Sequence, residues 1–160
     1  MGKSVRRTSR RGRRGIATVE FAVVFPVIVT VLLGIWEVGR MVDVEGILYN
    51  AASVGGRTAS TGLNTAAQVQ TAVTNYLTLA GISTANVTVT VSDLTNPGTD
   101  PTAATTLDQL QISVSVPFSA VRWSATSMFV PGTRLLSARV TWLSAIATAY
   151  PSSITVPNGY

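Results

Sequence analysis

Between Glu20 and Glu37 the chain carries no formal charge, and most positions are Val, Ile, Leu, Phe or Ala. Residues 16–36 therefore supply the roughly 20 apolar residues a helix needs to cross the hydrocarbon core of a bilayer. Beyond them the apolar positions do not vanish but change spacing. Met41, Val44, Leu48, Ala51, Ala52, Gly55 and Ala59 recur every three or four residues, with Asp43, Asn50, Ser53 and Arg57 on the opposite side. That period extends the helix over residues 37–60 as an amphipathic packing helix. Ala51, Ala52, Gly55 and Gly56 leave room on it for another element to approach closely. Glu37 and Arg40, three residues apart, are placed to pair where the helix leaves the membrane.

After a break at Ser60-Thr61-Gly62, Asn64 or Thr65 caps a second helix. Its stripe is Val69, Ala72, Val73, Tyr76, Leu77 and Ala80, and Gly81 closes it. The period then becomes two. Val87, Val89 and Val91 alternate with Thr88, Thr90 and Ser92, and a second alternating run follows at Leu110, Ile112, Val114 and Val116, ended by Pro117. Residues 118–133 read as a partly apolar connection containing Phe118, Trp123, Met128 and Phe129. A third strand is expected around Leu136, Ala138, Val140 and Trp142, and residues 145–160, with Pro151 and Pro157, as a loose tail. Three strands with one apolar face each need a cover, which the two helices supply. The fold class predicted is α+β: a long N-terminal transmembrane and amphipathic helix, a second helix, then a three-stranded antiparallel sheet. Residues 61–144 form its extracytoplasmic body, and a meander is the simplest strand order.

The formal net charge of +5 is unevenly spread. Lys3, Arg6, Arg7, Arg10, Arg11, Arg13 and Arg14 all precede Gly15, so residues 16–160 hold five arginines against seven acids, a net charge of −2. Residues 1–15 are too charged to bury and are expected to be disordered. Next to an apolar helix, such a leader holds the N-terminus in the cytoplasm by the positive-inside rule, which is favoured over nucleic-acid binding. A secretory signal peptide fits poorly, because no small-x-small cleavage site closes the apolar run.

Two residues disturb that run. Pro26 removes one helical hydrogen bond and should bend or loosen the segment. Glu20 costs about 2.5–3.5 kcal/mol if carried to mid-membrane and less near the interface, so it marks either a functional carboxylate or one at headgroup depth.

The chain contains no Cys and no His, which removes disulfides, thiolate chemistry and the commonest general base and metal ligand. No phosphate-binding glycine loop, catalytic triad or cofactor fingerprint is present, so neither an enzyme nor a cofactor is expected. Asp93, Asp100 and Asp108 share a loop with Asn96; they could in principle gather around calcium, but their spacing matches no cation loop, and turn chemistry is the expected use. Phe118, Trp123 and Phe129, near Arg122, are candidates either for headgroup contact or for packing against the sheet edge.

Gly15 followed by four residues and then Glu20-Phe21 resembles the signal of prepilins, which a membrane aspartic peptidase cuts after the glycine. More closely, RRGIATVEFAVVFPVIVTVLLGIWEVGR (residues 13–40) followed by AASVGGRTAS (51–60) is similar to the TadE-like family, minor pseudopilins of the tight-adherence (Flp) pilus machinery. The resemblance implies a pilin-like fold and cleavage between Gly15 and Ile16, and it makes Glu20 the fifth mature residue. Ile16 is larger than the small residue expected there. The resemblance further implies a single-pass protein of the bacterial inner membrane with a cytoplasmic N-terminus. Its implied partners are the prepilin peptidase, other pilins or pseudopilins and the assembly machinery, with homo- or hetero-oligomers forming through the N-terminal helix. In physical terms, cleavage removes every leader cation and leaves one ammonium at the mouth of an apolar helix. A Glu20 carboxylate from a neighbouring chain can pair with it and fix register. The alternative is an uncleaved membrane-anchored adhesin or ligand-binding module in which Glu20 is incidental.

Overall fold

The computed structural model describes residues 11–122 and 129–146. Residues 1–10, Trp123, Met128 and the tail from residue 147 lie outside the described residues. Helix α1 runs unbroken over Arg11–Ser60, α2 over Ala66–Leu79, and strands β1, β2 and β3 over Thr88–Asp93, Gln109–Pro117 and Leu135–Leu143. Helical backbone thus begins at Arg11, inside the leader whose charge predicts disorder. Arginine is a good helix former, and an existing helix adds residues more easily than it nucleates. Pro26 likewise sits inside α1 without ending it, and Thr30 Oγ1 donates to the Pro26 carbonyl at 2.7 Å.

The strands form an antiparallel meander in the order β1-β2-β3, with Val91 opposite Ile112 and Ile112 opposite Val140. One sheet face is apolar because the period-2 valines and isoleucines all point to it, and Leu110, Ile112, Val114 and Val116 are fully buried there. Helix α1 lies over β2 and β3, while α2 lies beside it over β1. Val44, Leu48, Ala51, Ala52 and Ala59 of α1 and Val69, Val73 and Leu77 of α2 complete the core, on the stripes the sequence marks out.

Local chemistry fixes the ends of α2. Thr65 is its N-cap, in a reciprocal capping box with Gln68. At the other end the Ile82 N–H donates to the Leu77 carbonyl and the Gly81 N–H to that of Thr78, a Schellman closure that places Gly81 at φ +77°. Ala80, assigned to the apolar stripe, is exposed at this cap.

The glycine pair on α1 is where the helices and the sheet approach most closely. A Cβ on Gly55 would meet Val73 Cγ2 at 2.6 Å and Ile112 Cγ2 at 3.2 Å, and one on Gly56 would overlap the Trp142 indole. Ala145 and Ile146, expected in the loose tail, are held to the body instead. The Ala145 N–H donates to the Ser60 carbonyl at 2.9 Å, and Ile146 occupies the space beside Gly62 that a side chain there would fill.

Candidate functional site

Gly15, Ile16 and Glu20 all lie on the first turns of the described part of α1, exposed to the surroundings. Nothing stands within 4 Å of a Cβ built on Gly15, so no contact in the fold requires glycine at that position. Glu20 has no hydrogen-bond or ion-pair partner among the described residues. Next to it, the rings of Phe21 and Phe25 meet at a tilt, with centroids 5.3 Å apart. From Ile16 to Trp36 the large apolar side chains, the half-buried Val29 apart, are exposed. So much contiguous apolar surface does not stay in water. Among the described residues α1 is the one helix long and apolar enough to cross a membrane.

Where α1 leaves that apolar stretch, Glu37 and Arg40 each bond to other groups among the described residues. Glu37 is turned into the domain, and its Oε2 accepts the backbone N–H groups of Phe129 at 3.0 Å and Val130 at 3.4 Å. Arg40 pairs with Asp43 Oδ2 at 2.6 Å, and its Nε donates to the Val121 carbonyl at 3.2 Å. Both Glu37 and Asp43 stand three residues from Arg40. Glu37 is the buried one of the two, and two loop amides hold its Oε2. The Phe129 ring rests on Gly34, 3.4 Å from where a Cβ would sit. Phe118, by contrast, is buried in the core, which settles its part of the aromatic question in favour of packing.

The acidic loop is built from turns. Asp93 Oδ1 accepts the N–H groups of Thr95 and Asn96, and Asp108 Oδ2 accepts from the Thr105 amide and hydroxyl and from Asn96 Nδ2. Asp100 accepts the Ala66 N–H at the start of α2, together with the Thr102 amide and hydroxyl. Among the described residues no three acids converge on a metal position.

These bonds set a pH dependence. The Ala66 amide, then Thr102, hold the Asp100 carboxyl below its ordinary value, and the Thr105 amide and hydroxyl do the same for Asp108. Carboxyls depressed in the folded state stabilise the fold above the ordinary carboxylate pKa of about 3.9, and that contribution is lost as pH falls through and below it. The urea midpoint of the full-length protein in detergent should therefore drop as pH is lowered below about 4. Asp100→Asn should be less stable at neutral pH and show a shallower drop. An identical pH slope in wild type and variant would count against the Asp100 bonds.

Fold and site together define a class: an α+β domain carried on one exposed, membrane-compatible N-terminal helix that continues directly into the domain's packing helix. Within that class, residues 15–57 match the sequence model of the family described as TadE-like protein. The match starts at Gly15 and stays within α1, leaving α2 and the sheet outside it. No curated protein and no solved structure matches the chain.

Proposed function

We propose that this is a single-pass protein of the bacterial cytoplasmic membrane that acts as a minor, pilin-like component in assembly of a Tad/Flp-type pilus or related secretion apparatus. In this reading its N-terminus faces the cytoplasm, and the prepilin peptidase cuts between Gly15 and Ile16. One observation carries the proposal: the segment matched to the TadE-like family is a rod whose apolar half is uncovered, with Gly15 and Glu20 exposed at its start. A rod of that kind is built to pack beside other rods.

Glu20 supplies the chemistry of that packing. A lone carboxylate among apolar helices is costly, and one that meets the new Ile16 ammonium of a neighbouring chain is compensated. Removing one member of such a buried pair costs about 3–5 kcal/mol, because the other charge is stranded. Glu20→Ala should therefore abolish co-purification with the other pilin-like subunits after gentle detergent extraction, while membrane insertion and the fold of the domain persist. Undiminished co-purification of Glu20→Ala would reduce α1 to a tether and favour the uncleaved-anchor reading.

A further inference from the structure

The end of the domain nearest the membrane is itself shaped for lipid. β2 ends and β3 begins there, with Pro117 opposite Leu135. The Phe118 N–H donates to the Arg134 carbonyl and the Ser119 N–H to that of Gly132, which closes the end of the sheet. Glu37 and Arg40 then fasten this closed end to the helix through Val130, Phe129 and Val121.

The fastening has two consequences. It places Phe129, 47% exposed, beside Gly34, within the apolar run of α1 rather than above it. It also removes Glu37, the first charge after that run, from the surface. On the free side of α1, Val38 and Val42 carry exposed apolar surface nearly two helical turns past Trp36. At the same end of the sheet Leu135 is 61% exposed beside an exposed Arg134. An apolar tip with a neighbouring guanidinium is the arrangement that settles at a bilayer interface, with the chain buried and the charge at phosphate level.

We propose that this end of the domain is seated in the bilayer that α1 crosses, with Phe129 inserted beneath the headgroups and Leu135 and Arg134 among them, so that lipid is the partner of this surface. The seat follows from continuity. Phe129 packs on Gly34 of the same helix that spans the membrane, inside the uncharged run that ends at Glu37. It rests on the membrane reading of α1 and gives the domain a fixed stance on the membrane instead of a free pivot.

The absence of Cys makes the test direct. Single-cysteine variants of the full-length protein at Phe129, Leu135, Ile28, Leu63 and Leu94 are labelled with an environment-sensitive dye and reconstituted in phosphatidylcholine vesicles with or without spin-labelled lipid. The dyes at 129 and 135 should be blue-shifted and quenched by lipid several-fold more than those at 63 and 94, which lie at the opposite end of the domain. Water-like emission and no lipid quenching at 129, with strong quenching at 28, would overturn the seat while leaving the span intact. No quenching at 28 either would instead sink the membrane reading itself. Blue-shifted emission at 129 that lipid does not quench, accompanied by energy transfer between protomers, would assign the surface to a second protein chain and overturn the proposal.

Discussion

Gly56→Val should unfold the domain at temperatures the wild-type protein tolerates, while Gly46→Ala, ten residues earlier on the same helix, should stabilise it. Helix propensity alone favours both changes, since glycine in a helix interior is worse than alanine by about 1 kcal/mol. What separates them is the space around each Cα. Nothing lies within 4 Å of a Cβ at Gly46, whereas one at Gly56 would overlap the Trp142 indole. Trp142 belongs to β3, registered opposite Leu110, and its half-buried indole, a rigid ring, lies directly over Gly56. Overpacking a filled interface costs about 1–3 kcal/mol and sometimes more, and three added carbons against an indole belong at or above the top of that range. For a domain of about 100 residues that is a fall in Tm of more than about 10 °C. Thermal unfolding of the full-length protein in detergent, followed by near-UV circular dichroism, reads both variants. A Gly56→Val protein with unchanged Tm would mean that α1 does not lie against β3 as described.

Gly15→Leu should abolish processing and leave the fold untouched. Gly15 lies within helical backbone and has open surroundings, so leucine meets no neighbour and even gains helix propensity. A peptidase, however, needs the scissile segment extended and unhindered. Glycine offers this in two ways: it carries no side chain to block approach, and it makes local unwinding of the helix easier by about 1 kcal/mol. Leucine removes both advantages. The expected outcome is accumulation of the full-length chain in the membrane, larger than the wild-type product by the leader of Met1–Gly15, with an unchanged Tm. Wild-type-sized product from Gly15→Leu would remove the processing claim. A lowered Tm would show instead that Gly15 matters to the fold.

Much of the architecture can be read from the spacing of apolar residues. The three- and four-residue recurrence from Val44 to Ala59 is the face that packs, and the alternations at Val89–Val91 and Leu110–Val116 are the strands, because burial on one face of a helix or sheet imposes those periods. Thr65 and Gly81 are legible because caps are local chemistry. What the sequence leaves hidden lies between residues far apart in the chain. The small side chains at Gly55 and Gly56 announce a close approach but not by what, and the partners are Val73, Ile112 and Trp142. Glu37 has an obvious neighbour in Arg40 and instead turns to the backbone amides of residues 129 and 130, which carry no side-chain signature at all. At the candidate site, Gly15 and Glu20 stand out because a glycine before an apolar run and a lone acid inside it are chemically anomalous. Within one chain Glu20 finds no partner among the described residues, and on the proposed mechanism its partner belongs to a neighbouring protomer.

The central claim is that α1 becomes an assembly rod when its basic leader is removed, and the intact mass of the protein isolated from its native membrane tests this most directly. A chain that starts at Ile16 is the predicted result. A chain that still starts at Met1 in the assembled, membrane-extracted protein would contradict it.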